Sequence, residues 1–137
     1  MASSANFPAQ PLFGLAQILN ADASGQKTLL TAGAAGAKVT SIAAMSDDSS
    51  ARLITLSVLR SAVNYPIAVV SVPANAGTNG TAAAANLLDE SLSSWVPVDN
   101  DGQRYVLLEA GDVLQVKSGS TVTSAKAVTI CAVGANF

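Results

Sequence analysis

Thr28-Leu29-Leu30-Thr31-Ala32-Gly33-Ala34-Ala35-Gly36-Ala37-Lys38-Val39-Thr40-Ser41-Ile42 opens the run that decides the fold. It continues through Ser46-Asp47-Asp48-Ser49-Ser50 into Ala51-Arg52-Leu53-Ile54-Thr55-Leu56-Ser57-Val58-Leu59-Arg60, and it ends at Ile67-Ala68-Val69-Val70-Ser71-Val72-Pro73. Short runs of Val, Ile, Leu and Thr bounded by Gly, Asp, Ser and Pro are strand signals, and four strands are expected here. Ala51 to Arg60 is the strongest of them. Ile54, Leu56 and Val58 share one face, and Leu53, Thr55, Ser57 and Leu59 share the other. Apolar groups on both faces place this strand centrally in a sandwich or against a second subunit.

Working outward, residues 1–11 read as an extended N-terminal arm and residues 12–137 as one β-sandwich domain. Pro8 and Pro11 disfavour regular structure in the arm. Phe7 and Phe13 are large apolar side chains in polar surroundings, which makes them the candidate partner contacts. Either they tuck onto the same domain, or an extended arm docks them on a neighbouring subunit. Leu12 to Leu19 fits a strand or a short helical turn. Asp47-Asp48-Ser49-Ser50 reads as a hairpin-type connection, because Asp and Ser bond nearby backbone in turns. Pro66 is expected to start a strand and Pro73 to stop it.

Beyond the central run, Thr81 to Leu88 is expected to form one short helix, since Ala and Leu favour helices and Thr81 can cap. Asp99-Asn100-Asp101-Gly102 is a tight-turn signal. Gln103 to Glu109, Asp112 to Lys117 and Lys126 to Val133 are three closing strands. The total is about eight short strands with regular turns, an all-β, single-domain antiparallel sandwich or jelly-roll-like barrel.

The composition limits function. A chain of 137 residues is large enough for one buried core. Only 12% of residues are charged, and the net charge is −2. So few charges suit a chain that buries surface against a partner, because interface cores are depleted in charge. The seven cations are scattered singly, which argues against a nucleic-acid partner. No run is long and apolar enough to span a membrane, and no Lys or Arg precedes Lys27 to form the start of a secretory signal. A soluble product made in the cytoplasm is expected. Cys131 is the single cysteine and, between Ile130 and Ala132, is expected to be a buried thiol.

The chemistry-bearing residues are sparse. With no His and one Cys, histidine triads and multi-cysteine zinc sites are absent from the chain. Gly33, Gly36 and Lys38 resemble a phosphate loop only loosely, because Ala37 separates the second glycine from the lysine. Asp99-Asn100-Asp101-Gly102 matches the opening of a calcium loop, but Ala110 stands where its closing Glu is required. Nothing in the sequence selects a pair of its nine carboxylates for glycoside cleavage. No catalytic residue, cofactor or metal is expected.

The quoted run also carries a family likeness. Leu29-Leu30-Thr31-Ala32-Gly33, Lys38-Val39, Ser46-Asp47-Asp48 and Ala51 to Leu59 resemble a family of small structural proteins of tailed bacteriophages. Val72-Pro73-Ala74-Asn75-Ala76-Gly77-Thr78, Leu87-Leu88-Asp89, and Asn100 to Leu108 with Ala110-Gly111 fit the same pattern. The resemblance implies a non-enzymatic virion protein, similar in size to capsid decoration (cement) proteins with jelly-roll-like folds. It implies the major capsid protein of a tailed phage as partner, a place on the outer capsid surface, and a homo-oligomer, dimer or trimer. The alternative is a tail, collar or fibre component that binds a receptor or glycan.

Overall fold

The computed structural model describes residues 8–88 and 95–137. Among these residues the chain forms nine strands and a single 3-10 turn, Asn20–Asp22. The strands are β1 (Gln10–Leu19), β2 (Lys27–Thr31), β3 (Ala37–Ser46), β4 (Arg52–Arg60), β5 (Val63–Val72), β6 (Ala85–Asn86), β7 (Val106–Leu108), β8 (Val113–Ser118) and β9 (Ala127–Asn136). All pair antiparallel.

The pairing is nested. β1 pairs β9, β2 pairs β8, β3 pairs β7, and β4 pairs β5. Rolling this long double ribbon brings β9 against β3 and β8 against β4. The result is two packed sheets, β1-β9-β3-β6 with β7 also on β3, and β2-β8-β4-β5. This is the jelly-roll arrangement. The expected eight positions are present, but one is divided: β7 pairs Ala37 to Val39 and β6 pairs Ala43 and Ala44 of the same strand.

The core follows the two-residue period of each strand. Ile18, Val39, Ile42, Val128 and Ile130 point inward from one sheet, and Ile54, Leu56, Val72, Leu114 and Val116 from the other; all are fully buried. Each such side chain contributes roughly 1.5–3 kcal/mol of burial free energy. Two glycines let backbones approach where a Cβ would not fit. At Gly14 it would strike the Leu29 carbonyl, and at Gly134 the Lys38 carbonyl. The second approach lies at a bulge, where β3 shifts register between Val39 and Ser41.

Four expectations are corrected. Leu12 to Leu19 is strand throughout, and β1 also takes in Gln10 and Pro11, which the sequence reading places in the arm. The short helix at 81–88 does not form. Instead Ala82 bridges Ala76, Ala85 and Asn86 pair with β3, and Leu87 and Leu88 are buried in the core. So short a helix is marginal by itself, and burying two leucines outweighs alanine's preference. Asp47 to Ser50 is not a hairpin, because β3 and β4 belong to opposite sheets.

Pro66 lies inside β5 rather than at its start. The register shifts there, Leu56 facing Ala68 while Ser57 faces Pro66. β5 is an edge strand with a bulge, which is where a residue lacking an N–H is tolerated. The true start of β5 follows a two-residue hairpin turn, Ser61-Ala62, with φ of 51° and 63°. Turns of this hand usually use Asn and Gly, so its residues gave no turn signal.

Candidate interaction face

Outward-pointing residues of β1, β9 and β3 build a flat face in register. Phe13 lies opposite Val133, which lies opposite Ser41. Leu15, Cys131 and Ala43 form the next row, and Gln17, Thr129 and Met45 the one after. Phe13 is 62% exposed, Leu15 59% and Val133 45%, with Leu19 and Met45 also exposed. These five side chains leave an apolar surface toward solvent, and the largest such patch on a monomer, roughly 300–600 Å², is often functional. No Asp, Glu, Lys or Arg stands in these rows; the exposed carboxylate of Asp47, which accepts the Ala127 N–H, borders them beyond Met45. The first charge along β3 is Lys38, whose ammonium lies 3.6 Å from Asp99 and 4.6 Å from the centre of the Tyr105 ring.

The structure therefore places Phe13 at a corner of a continuous face and does not tuck it onto the core. Phe7 lies outside the described residues. Sequence reasoning missed the companions Leu15, Val133 and Cys131. Cys131 was expected to be buried between Ile130 and Ala132, but those two point inward, so strand alternation turns Cys131 outward and leaves it partly exposed. Period-two alternation was the signal available for all three.

The carboxylates are engaged in holding turns. Asp48 is fully buried at the corner between β3 and β4. It accepts hydrogen bonds from the Thr123 N–H and hydroxyl at 2.9 Å, from the Ser50 N–H at 3.0 Å and from Arg52 Nε at 2.9 Å. Burial pushes its carboxyl up, but those donors together hold it well below the usual carboxylate range. Asp112, before β8, pairs with the Arg60 guanidinium and accepts the Glu109 N–H at 2.8 Å. The Arg60 hydrogen bond lowers the Asp112 carboxyl against its burial, and the same bond raises Arg60. Both ends of β4 are thus clamped by an Arg–Asp pair, Arg52 with Asp48 and Arg60 with Asp112.

The two near-motifs have structural partners. Asp99 accepts the N–H groups of Asp101 and Gln103, both at 3.0 Å, which shapes the turn expected there. The Gln103 N–H is the main influence lowering its carboxyl. The Gly33 N–H donates to the Asn136 side chain at 3.0 Å, joining the β2–β3 loop to the end of β9. Among the described residues, no three His, Cys, Asp or Glu side chains gather as a metal site. An open cleft of about 540 Å³ lies in the gap between β6 and β7, lined by Thr40, Ser41, Asn86, Gln103 and Arg104 among others.

No protein-family model, curated protein or solved structure matches this chain. The functional reading accordingly stands on the face, the cleft and the sequence likeness.

Proposed function

We propose that the chain is a non-enzymatic virion structural protein, a capsid decoration protein that binds the outer shell of a tailed phage and bridges neighbouring capsid subunits. The observation that carries its binding role is the uncharged apolar face headed by Phe13 and Leu15. A closed jelly roll satisfies its own core, so an apolar face left outside it is surplus to folding and available to a partner. The engagement of Asp48, Asp99 and Asp112 in structural hydrogen bonds favours a binding protein over an enzyme. The virion setting is supported by the sequence resemblance. A protein of this kind stabilises a shell by binding it better than it binds separated subunits, and repetition over the shell multiplies weak contacts.

Quantitative mass spectrometry of purified virions tests this reading. A copy number of the same order as the major capsid protein supports a shell component. A small copy number moves the chain to the tail, collar or fibre. Absence from virions removes both.

The second reading, a glycan-binding tail or fibre component, is favoured by the cleft. Its hydroxyl, amide and guanidinium groups are of the kind that hydrogen-bond sugar hydroxyls. Binding to host-surface polysaccharide, lost on Gln103→Ala, supports this reading; no binding removes it.

A further inference from the structure

We infer that Asn79 is a self-modifying site, at which the Gly80 nitrogen attacks the Asn79 side-chain amide, ammonia leaves, and the residue becomes isoaspartate or aspartate. The inference stands apart from the proposed function and needs no partner.

Asn79-Gly80 is the single Asn-Gly pair of the chain, and Asn79, Gly80 and Thr81 are all exposed. They form the tip of a loop that the Gly77 N–H closes by donating to the Ala82 carbonyl at 2.7 Å. Three features of this tip suit the reaction. Access is the first. Gly80 holds φ at 78°, and a Cβ built there would meet nothing within 4 Å, so the space around it is open. Among the described residues no group accepts a hydrogen bond from the Gly80 N–H, which leaves that proton to solvent.

Orientation is the second. The Thr81 N–H donates to Asn79 Oδ1 at 3.0 Å. The ring closed by this bond contains both Asn79 Cγ and the Gly80 nitrogen, so the side chain is folded back toward the atom that attacks it. Charge is the third. The Thr81 hydroxyl donates to the same Oδ1 at 2.6 Å. When nitrogen adds to Cγ, negative charge develops on Oδ1, and two donors already aimed there stabilise it as an oxyanion hole does. Asn75 in the same loop is placed differently. The N–H that follows it, from Ala76, is committed to the Pro73 carbonyl, and Ala76 is buried.

The chemistry needs only water. The Gly80 N–H gives up its proton, the nitrogen–Cγ bond forms, and the Cγ–Nδ2 bond breaks as Nδ2 takes up a proton and departs as ammonia. Water then opens the cyclic imide. Addition at Cγ gives aspartate, and addition at the Asn79 main-chain carbonyl gives isoaspartate. Either product carries a carboxylate where a neutral amide stood. Gly77 sits against the Met45 side chain, and the Thr78 hydroxyl donates to the Ser46 carbonyl at 3.2 Å. The new charge therefore arises near the end of β3, at the border of the apolar face.

Full-length protein is incubated at neutral and mildly alkaline pH, folded or in guanidinium chloride, and sampled over days by peptide mapping and isoaspartate-specific methylation. The expected result is conversion at Asn79 that quickens with pH, because the attacking nitrogen must lose its proton. It runs about threefold or more faster in the folded chain than in the denatured one. Thr81→Val, which keeps the N–H donor and removes the hydroxyl, slows the folded reaction by about threefold or more, short of the roughly 100-fold that one donor is worth in a water-excluded site. Gly80→Ala slows it by about tenfold or more, since a Cβ crowds the nitrogen and resists positive φ.

An Asn79 that stays intact overturns the inference. So does a folded chain that reacts no faster than the denatured one, because the hydrogen bonds then only hold the turn. A folded Thr81→Val that reacts at the parent rate does the same. Should that variant unfold, the comparison of folded with denatured parent protein still decides the matter.

Discussion

The hydroxyl of Thr123 donates to the carboxylate of Asp48 at 2.9 Å, although 75 residues separate them. The same hydroxyl accepts from Arg52 Nη2 at 3.0 Å, so it bridges both members of the Arg–Asp pair. The turn before β9 is thereby fastened to the corner that carries the chain from one sheet to the other. Removing the carboxylate leaves the Arg52 charge, the Thr123 N–H and the Ser50 N–H without their shared acceptor. Asp48→Ala is expected to lower unfolding free energy by about 3–5 kcal/mol. Urea unfolding followed by intrinsic fluorescence measures it, and a loss below about 1 kcal/mol would contradict the clamp.

Acid tests the same clamps together. Asp48, Asp112, Asp22 and Asp99 all have carboxyls held below their ordinary value of 3.8. A lowered folded value means the unfolded chain takes up protons first as pH falls. The stability these groups supply is therefore complete above the ordinary carboxylate range and is lost as pH drops through their folded values. The urea midpoint should be nearly level between roughly pH 7 and 5 and fall steeply below about pH 4. Asp48→Asn should start lower and fall less steeply.

Gly14 is the tightest point between β1 and β2. A Cβ there would meet the Leu29 carbonyl oxygen and stand 2.8 Å from Leu30 Cβ. Backbone cannot swing aside like a flexible side chain. Gly14→Ala should cost about 1–3 kcal/mol by overpacking, read as a lowered thermal midpoint. A neutral result would show that β1 can lift off β2.

The Ser61-Ala62 turn offers the opposite change. Ala62 holds φ at 63°, a left-handed conformation that costs an L residue roughly 1 kcal/mol. Gly adopts it freely but is more disordered when unfolded. Ala62→Gly should raise stability by about 0.5 kcal/mol, measured by the same urea titration. A decrease would mean that the alanine methyl packs usefully.

Much of this architecture was legible in advance. The turn expected at Asp99 to Gly102 forms because Asp99 bonds the backbone of Asp101 and Gln103 and Gly102 takes a positive φ. The jelly roll itself was suggested by strand count alone. Its order depends on pairings such as Leu15 with Cys131, whose cross-chain register local sequence does not encode. The 81–88 segment misled because propensity is local, while the burial of Leu87 and Leu88 is not. The candidate face was half visible. Phe13 stood out as a large apolar residue, but Leu15 and Val133 became part of a surface only when β1 and β9 were laid side by side.

The position of β9 between β1 and β3 also governs how the molecule comes into being. Each of those neighbours finds its main partner only after residues 127–136 have been made. Until then β1 lacks its strand partner and β3 has only the short β6 and β7, so the first sheet zips closed late and over long chain separations. Such closure is slow compared with forming a local hairpin like β4–β5. In that interval the alternating apolar residues of β1 and β3 lie open to any neighbouring chain. The scarcity of charge that suits this surface to a partner also removes a natural deterrent to premature association, so yield in the cell should depend on synthesis rate and temperature more than the finished fold's stability would suggest.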